Sequence, residues 1–180
     1  MDPKILSNIK TNITNDICII DIGTQTMLVQ CENGFKKQYA ISTATTGVGN
    51  ESDSYKTPLG KHSICEKIGE FAPRYTIFKS RKNTGIKCEK LNVPIDLDPE
   101  DLILTRILRL KGEEPGVNSG YTIDGKCVDS YERYIYIHGT NREDLIQRSQ
   151  PSSNGCIRMG NADIEELFLN IKLGAMVDIR

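Results

Sequence analysis

The chain has 180 residues, of which 38% are hydrophobic and 26% charged, and its formal net charge is -1. This length suits one domain with a buried core, and the nearly neutral charge argues against bulk attraction to nucleic acid or to a membrane surface. No apolar run approaches membrane-spanning length, so no membrane span is predicted.

The first sixteen residues are expected to form an N-terminal extension, followed by a single domain at residues 17–180. The extension lacks the uninterrupted apolar core of a signal peptide. The chain as given is therefore expected in the cytoplasm, or in the periplasm or cell envelope if an export signal has been removed. Its six cysteines show no Cys-x-x-Cys pair and no metal-ligand spacing, which favours reduced thiols and no metal site.

The first part of the domain predicts an antiparallel meander of three strands. The predicted strands are residues 17–22, 26–31 and 35–43. Asn33-Gly34 separates the last two and is a strong signal for a tight hairpin turn. Two hairpins in series favour an antiparallel layout over alternating strands and helices.

The middle of the chain predicts loops with two further strands. Residues 62–68 predict a strand, and residues 72–101 are irregular and interrupted by prolines, which predicts a long excursion with at most short strands. Residues 102–110 allow a helix or a strand, and the surrounding β context favours the strand. Residues 56–90 hold nine Lys or Arg against three Glu, so they form either a solvated surface or a face for an anionic substrate.

The last part of the chain combines strands and a helix. Residues 131–138 alternate and predict a strand with Tyr134, Tyr136 and His138 on one face. Residues 141–147 predict one or two helical turns. The helical spacing of apolar residues predicts a helix over residues 161–173 with Asn161 as its N-cap, followed by a strand at 175–179.

The chain contains two histidines, and one of them lies eighteen positions before a cysteine in the same local segment. A free thiol has a pKa of about 8.5, so His138 beside Cys156 would accept its proton and give a reactive ion pair. Gly139 would let a backbone carbonyl approach Nδ1 of the ring and leave Nε2 for the thiol. The other histidine, His62, is expected to be structural or solvent-facing.

Ser153-Asn154-Gly155-Cys156 predicts an oxyanion-binding turn. Glycine tolerates unusual φ angles, so consecutive backbone N–H groups can point at one spot. Asn154, Gly155 and Gly139 are the candidate turn or oxyanion residues. Ser153 is expected to bond within the turn or to substrate.

Arg158 follows the cysteine by two residues and is a candidate for binding a substrate carboxylate in bidentate fashion. A structural ion pair with Asp163 or Glu165 is the alternative. The remaining candidate substrate contacts, for which structural or turn roles stay open, are Tyr136, Thr140, Asn141 and Arg106.

Taken together, these residues resemble the signature of YkuD-type L,D-transpeptidase catalytic domains. That signature is a histidine, a short insertion, then Ser/Thr-His-Gly-Cys with Arg or Asn two residues later. The matching segments here are His138-Gly139-Thr140 and Ser153-Asn154-Gly155-Cys156-Ile157-Arg158. The resemblance implies a mainly β, YkuD-like β-sandwich of antiparallel or mixed sheets with one C-terminal helix and short helical turns.

The resemblance also implies a cysteine-dependent acyl transfer without metal or cofactor. Cys156 would attack the L,D peptide bond of a murein tetrapeptide stem, and terminal D-alanine would leave with a proton from His138. An amine would then resolve the thioester and cross-link peptidoglycan, or water would do so in L,D-carboxypeptidase trimming during recycling. Stem peptides or muropeptides are the expected partners, and carbapenem-like β-lactams are expected to acylate the same cysteine.

The chain departs from the family pattern at Asn154, where the family usually has histidine. The matched base is His138, and asparagine supports turn geometry with a backbone donor, so activity is expected. The alternative is an inactive murein-binding module of the same fold.

Overall fold

The computed structural model describes residues 14–91 and 101–180. These residues form ten strands of one mixed sheet and two helices. Most of the predicted N-terminal extension lies outside the described residues. No helix among the described residues is long and apolar enough to cross a bilayer.

The predicted meander at the start of the domain is confirmed. Its strands are β1 (Ile17–Asp21), β2 (Thr26–Gln30) and β3 (Lys36–Ser42), paired antiparallel in series. Gly34 adopts a φ of 87° in the turn between β2 and β3, and its N–H donates to the Cys31 carbonyl at 3.0 Å. Glycine populates this left-handed region without steric cost, so the Asn-Gly signal identified the turn correctly.

The middle of the chain contributes four strands: β4 (Gly60–Ile68), β5 (Thr76–Lys79), β6 (Lys82–Lys87) and β7 (Ile103–Gly112). The ambiguous segment at 102–110 is therefore a strand, as predicted. The excursion predicted over 72–101 contains the β5–β6 hairpin, which fits the expectation of short strands. Its residues 92–100 lie outside the described residues.

The remaining elements are β8 (Tyr136–Gly139), α1 (Glu143–Gln147), β9 (Ile157–Met159), α2 (Asn161–Asn170) and β10 (Met176–Ile179). The strand predicted over 131–138 was too long, because Tyr134 has a φ of 56° and lies in a turn. The carboxylate of Asp129 starts this turn by accepting the Tyr131 N–H at 2.9 Å. Short polar side chains compete with strand pairing in this way.

The helix predicted near the C-terminus exists and begins at residue 161 as predicted, but the predicted N-cap and the predicted end were wrong. Gly160 is the N-cap of α2, and Asn161 is already helical. The Asn161 amide instead donates to the Thr140 carbonyl at 2.7 Å, a partner 21 residues away. The helix ends at Asn170, since Ile171 is extended with a ψ of 139°. Tertiary partners outweighed the local capping preference.

The sheet has the strand order β4-β10-β1-β2-β3-β9-β8-β7-β5-β6, and β4 also pairs with β7. This last pairing closes eight of the strands into a ring, so the two layers of the predicted sandwich are opposite sides of one curled sheet. The β1–β10 and β8–β9 pairs are parallel, and the sheet is mixed as predicted.

The core lies inside the closed sheet and against α2. Ile164, Leu167 and Phe168 of α2 are buried there, and burying such a side chain contributes about 1.5–3 kcal/mol. The cluster also includes Ile137 of β8 and Ile157 of β9, both fully buried. These two residues anchor the inner face of the strand pair, which leaves its other face to carry polar side chains. No disulfide forms among residues 14–91 and 101–180, and Cys18 and Cys31 belong to the core.

Candidate active site

The parallel pair β8–β9 brings the predicted cysteine and histidine to the same face of the sheet. His138 is the register partner of Arg158, and Ile137 is the register partner of Ile157. Side chains alternate along a strand, so the buried isoleucines point inward and their neighbours point to the other face. Cys156 immediately precedes β9 and packs against the separate apolar cluster that contains Tyr136.

Cys156 is half-buried, and its thiol donates a hydrogen bond to the Tyr134 carbonyl at 3.6 Å. Burial raises the pKa of the Cys156 thiol to about 11, while a backbone hydrogen bond from Tyr136 acts in the opposite direction. Burial disfavours the thiolate because a charge loses its hydration there. The resting sulfur is therefore protonated at neutral pH.

His138 is buried, and its Nδ1 lies 2.7 Å from the Gly139 carbonyl oxygen. A carbonyl only accepts hydrogen bonds, so Nδ1 carries the proton and Nε2 is left as the basic nitrogen. A Cβ at Gly139 would stand 2.5 Å from Asn161 Oδ1 and 2.8 Å from the Leu104 carbonyl oxygen. Glycine is therefore required here by the close approach of Asn161 and β7, a reason that the sequence did not give.

Burial also lowers the pKa of His138 to about 4, against an opposing effect of the Asp101 carboxylate. The imidazole is thus neutral at neutral pH. With Cys156 protonated as well, the predicted resting ion pair is not favoured. Both groups are neutral before substrate arrives, and proton transfer to His138 would have to accompany attack.

The turn before Cys156 is held by side chains rather than left open. Ser153 Oγ donates to the Cys156 carbonyl at 2.6 Å and accepts the Gly155 N–H at 3.2 Å. Gly155 has a φ of 124°, and its carbonyl accepts from Thr57 Oγ1 at 3.1 Å. Ser153 therefore follows the within-turn alternative, and the Gly155 N–H is occupied by its hydroxyl.

Asn154 points outward from this turn. Its side chain is exposed and lines a cavity of about 290 Å³ that also includes Tyr134 and Tyr55. The residue that replaces the family's usual histidine thus contributes to a surface beside Cys156.

Arg158 is buried and forms an ion pair with Asp101. Its Nη1 also donates to Ser152 Oγ at 2.9 Å, and its Nε has no partner among the described residues. The predicted alternative partners Asp163 and Glu165 are not used. The Arg158 guanidinium, which was predicted to bind a substrate carboxylate, is therefore paired with a carboxylate of the chain itself.

Arg106 is buried, and its guanidinium is engaged by groups of the fold. Its Nη1 donates to the carbonyls of Ala72 at 2.7 Å and Thr105 at 2.6 Å, and its Nη2 donates to Glu165 at 3.2 Å. The Arg106 guanidinium also lies over the Phe168 ring. These contacts join β7 to α2, so the structure supports the structural alternative for Arg106.

Thr140 and Asn141 are buried in the turn after β8. Thr140 Oγ1 accepts the Arg142 N–H at 3.1 Å, and Asn141 Oδ1 accepts the Leu102 N–H at 3.3 Å. Both residues thus take the turn role that the sequence left open. Tyr136 is buried beside the cysteine, and its hydroxyl accepts a hydrogen bond from Arg81 at 3.3 Å.

Several residues at this site carried no sequence signal. The Tyr134 carbonyl, Ser152 and Asp101 make the contacts described above, yet no local motif marks them. Thr57 is 98 residues away from the glycine it contacts. Only the closed sheet brings such positions together.

No metal site is present in residues 14–91 and 101–180, where no three His, Cys, Asp or Glu side chains gather. His62 is fully buried, with Nδ1 2.9 Å from the Gly60 carbonyl oxygen and Nε2 3.0 Å from Ser130 Oγ. His62 therefore has a structural role, which was one of the two alternatives that the sequence left open.

The fold and the site define a mainly β domain that presents a histidine on β8 and a cysteine immediately before the adjacent parallel strand β9. A family model for the YkuD L,D-transpeptidase catalytic domain matches residues 15–179. The chain therefore belongs to the L,D-transpeptidase catalytic-domain family.

Known relatives agree with this assignment. A 54-residue stretch is 44% identical to YqjB of Bacillus subtilis (strain 168), whose name places it provisionally among the L,D-transpeptidases. That stretch is 30% of this chain and 28% of the relative. L,D-transpeptidase 3 from Mycobacterium tuberculosis has a similar fold, with 15% identity, a TM-score of 0.53, and coverage of 93% of this chain and 61% of that one.

The same fold is seen in two further structures. L,D-transpeptidase 3 in complex with a faropenem-derived adduct has 16% identity, a TM-score of 0.53 and coverage of 93% and 60%. Bd1075 from Bdellovibrio bacteriovorus has 16% identity, a TM-score of 0.50 and coverage of 93% and 48%. The chain thus spans less than two thirds of each of these relatives.

Proposed function

We propose that this domain catalyses acyl transfer on the L,D peptide bond of murein tetrapeptide stems, with Cys156 as nucleophile and His138 as base. The observation that carries the proposal is the packing of Cys156 against the cluster that contains Tyr136, because Tyr136 and His138 alternate onto one face of β8. Family membership supplies the reaction class. The bond between Nδ1 of His138 and the Gly139 carbonyl leaves Nε2 as the nitrogen that could accept the thiol proton.

The reaction has two steps. The Cys156 sulfur attacks the carbonyl of the L-centre while its proton passes to Nε2 of His138, and a carbon–sulfur bond forms as the tetrahedral oxyanion develops. Collapse of this intermediate breaks the carbon–nitrogen bond, and D-alanine leaves with the proton from His138. An amine or water then attacks the thioester, gives a proton to His138, and releases the thiolate, which is reprotonated by the imidazolium.

The Gly139 carbonyl has a defined part in this cycle. It accepts from Nδ1 at 2.7 Å, so it holds the ring in one tautomer and stabilises the imidazolium that forms during attack. The covalent adduct of the related L,D-transpeptidase 3 with a faropenem-derived group suggests that β-lactams would acylate Cys156 as well.

The decisive experiment is incubation of the protein with a disaccharide-tetrapeptide, with and without an added D-amino acid, followed by mass spectrometry. Loss of D-alanine alone would indicate hydrolysis, and replacement of D-alanine by the added amino acid would indicate transpeptidation. We expect Cys156→Ser and His138→Ala each to reduce turnover by at least about 1,000-fold. Cys127→Ser, at a half-buried cysteine of a loop, is the matched control and should retain full activity.

The alternative is an inactive murein-binding module, which Asn154 at the family's histidine position favours. A folded wild-type protein that binds muropeptides but neither trims nor exchanges them would establish that alternative and exclude the enzyme. Asn154→His then provides a direct test of whether this residue limits the rate.

A further inference from the structure

We propose that Arg81 forms a carboxylate-binding subsite at the rim of the cysteine site, and that it takes the role in substrate recognition that the sequence assigned to Arg158. This inference rests on the proposed function for its substrate. Its chemical basis is the position of Arg81 and the lack of a directly paired carboxylate at its guanidinium within the described residues.

Arg81 reaches the site from the tip of the β5–β6 hairpin. Lys79 pairs with Lys82 across the hairpin, which leaves Ser80 and Arg81 as a two-residue turn. Their φ values are 47° and 66°, the left-handed pattern of a type I′ turn. The hairpin thus projects the Arg81 side chain from a short, well-defined turn.

The guanidinium of Arg81 lies against the two tyrosines that flank the nucleophile. Its carbon lies 4.8 Å from the centroid of the Tyr134 ring, and Nη1 donates to the Tyr136 hydroxyl at 3.3 Å. Tyr134 accepts the hydrogen bond from the Cys156 thiol, and Tyr136 belongs to the apolar cluster on which Cys156 packs. Arg81 is therefore a neighbour of both residues that contact the sulfur.

The Tyr134 ring that supports Arg81 is itself held by a second arginine, Arg109. The Tyr134 ring also lies 5.0 Å from the guanidinium carbon of Arg109, which itself pairs with Glu66 at 2.8 Å. Arg109 is buried, so it anchors the ring and the ring supports Arg81. A guanidinium held in this way loses less side-chain entropy when it binds an anion.

Arg81 has no directly paired carboxylate within the described residues, and the Glu66 carboxylate, which pairs with Arg109, acts on Arg81 only from a distance. No Asp or Glu there forms an ion pair with it, and it is half-buried rather than enclosed. Five other arginines do have carboxylate partners, namely Arg74, Arg106, Arg109, Arg142 and Arg158. One N–H of Arg81 is used by Tyr136, which leaves a planar fork that matches a carboxylate.

The β5–β6 hairpin also carries exposed positive charge that would attract an anion. Lys79, Lys82 and Lys87 are exposed on the same two strands, and β6 is exposed along its whole length. This is part of the basic excess noted in residues 56–90, and it would raise the local concentration of an anionic peptide. A peptide carboxylate on the acyl donor is the ligand that this arrangement fits.

The first test uses the charge of an alkylating reagent and does not depend on turnover. Iodoacetate and iodoacetamide would be compared at pH 9, with modification of the Cys156 peptide followed by mass spectrometry. Arg81→Gln should lower the iodoacetate-to-iodoacetamide rate ratio by about fivefold, the size of one nearby surface charge. Arg81→Lys should restore much of it, and the control Lys82→Gln, on the same hairpin, should change it less than twofold.

The second test identifies which carboxylate is bound. Donor tetrapeptides with either the terminal carboxylate or the α-carboxylate of the D-glutamyl residue converted to an amide would be compared with the unmodified donor. For the wild type, one amide should raise KM about tenfold with kcat nearly unchanged, and Arg81→Gln should abolish that discrimination. The amide that has this effect identifies the bound group.

An unchanged alkylation ratio in folded Arg81→Gln would overturn the inference, as would an unchanged discrimination between the donors. If the wild type turns over no donor, the proposed function fails, and the alkylation ratio still decides whether Arg81 supplies positive charge at Cys156.

Discussion

His138 and Arg158 are register partners in the parallel β8–β9 pair, so a buried imidazole lies beside a buried guanidinium. Arg158 lowers the pKa of His138, and Asp101, which pairs with Arg158, raises it. Asp101 also raises the pKa of the Cys156 thiol. The Asp101 carboxylate therefore raises the pKa of both His138 and Cys156.

Asp101→Asn should lower the pKa of both Cys156 and His138, because the negative charge that raises them is removed. The rate of Cys156 alkylation by iodoacetamide, plotted against pH, should then shift to lower pH. Asp124→Asn, on an exposed loop, is the control and should leave the curve in place. A shift to higher pH in Asp101→Asn would contradict the arrangement described here.

The same substitution should reduce stability, since Arg158 would remain buried without a carboxylate. We expect a loss of about 1–3 kcal/mol in the free energy of unfolding, at the lower end because Asp101 is partly exposed. Denaturant unfolding at neutral pH, compared with Asp124→Asn, measures this loss. Equal stability of the two variants would mean that the ion pair contributes little.

The resting state of the thiol predicts a particular pH dependence. Because burial raises the Cys156 pKa to about 11, the rate of alkylation should rise about tenfold per pH unit from neutral pH towards that value. A resting thiolate–imidazolium pair would instead react at a nearly constant rate across neutral pH. Stopped assays with mass spectrometry of the Cys156 peptide distinguish the two.

The pKa of His138 is lowered, whereas that of Cys156 is raised. The lowered pKa predicts where the acid limb of the pH–rate profile lies. The imidazole becomes protonated only as the pH falls through about 4, so the base form persists through mildly acidic conditions. The acid limb of kcat/KM should therefore lie below the usual histidine pKa of about 6.5. An acid limb near pH 6.5 would show that the free enzyme's histidine is more hydrated than its position suggests.

Gly139→Ala should be strongly destabilising, because its Cβ would stand 2.5 Å from Asn161 Oδ1 and 2.8 Å from a backbone oxygen of β7. The expected cost is about 1–3 kcal/mol, with reduced turnover if the ring of His138 moves. Gly23→Ala is the matched control, since its Cβ would have 3.4 Å to its nearest atom. Thermal unfolding of both variants gives the comparison, and equal melting temperatures would contradict the close approach.

Thr57→Val tests the support of the turn before the cysteine. The hydroxyl donates to the Gly155 carbonyl and accepts the Ala44 N–H at 3.0 Å, so its loss leaves two buried backbone groups unpaired. We expect a loss of about 1–3 kcal/mol and slower Cys156 turnover. Thr24→Val removes only exposed contacts, with Thr26 and Asp21, and should cost much less. Similar losses in both variants would remove the special role of Thr57.

Much of the fold could be predicted from short-range signals. The Asn33-Gly34 turn, the β-branched first strand and the apolar spacing of α2 each depend on residues close in sequence, so local chemistry identified them. Predictions failed where a distant partner competed. Asn161 was expected to cap a helix, but its amide is taken by the Thr140 carbonyl, and the predicted strand from 131 loses its first residues to the turn at Asp129.

The sequence by itself determined the family and the candidate pair His138 and Cys156, because both occur within one short motif. The tertiary structure decided what surrounds that pair. The pairing of β5 with β7 and of β7 with β8, together with the projection of the β5–β6 hairpin, brings Arg81 beside Tyr136, 55 residues away. Charge and burial at a site depend on such distant neighbours, which is why the resting protonation of the thiol and the choice between Arg158 and Arg81 could not be read from the motif.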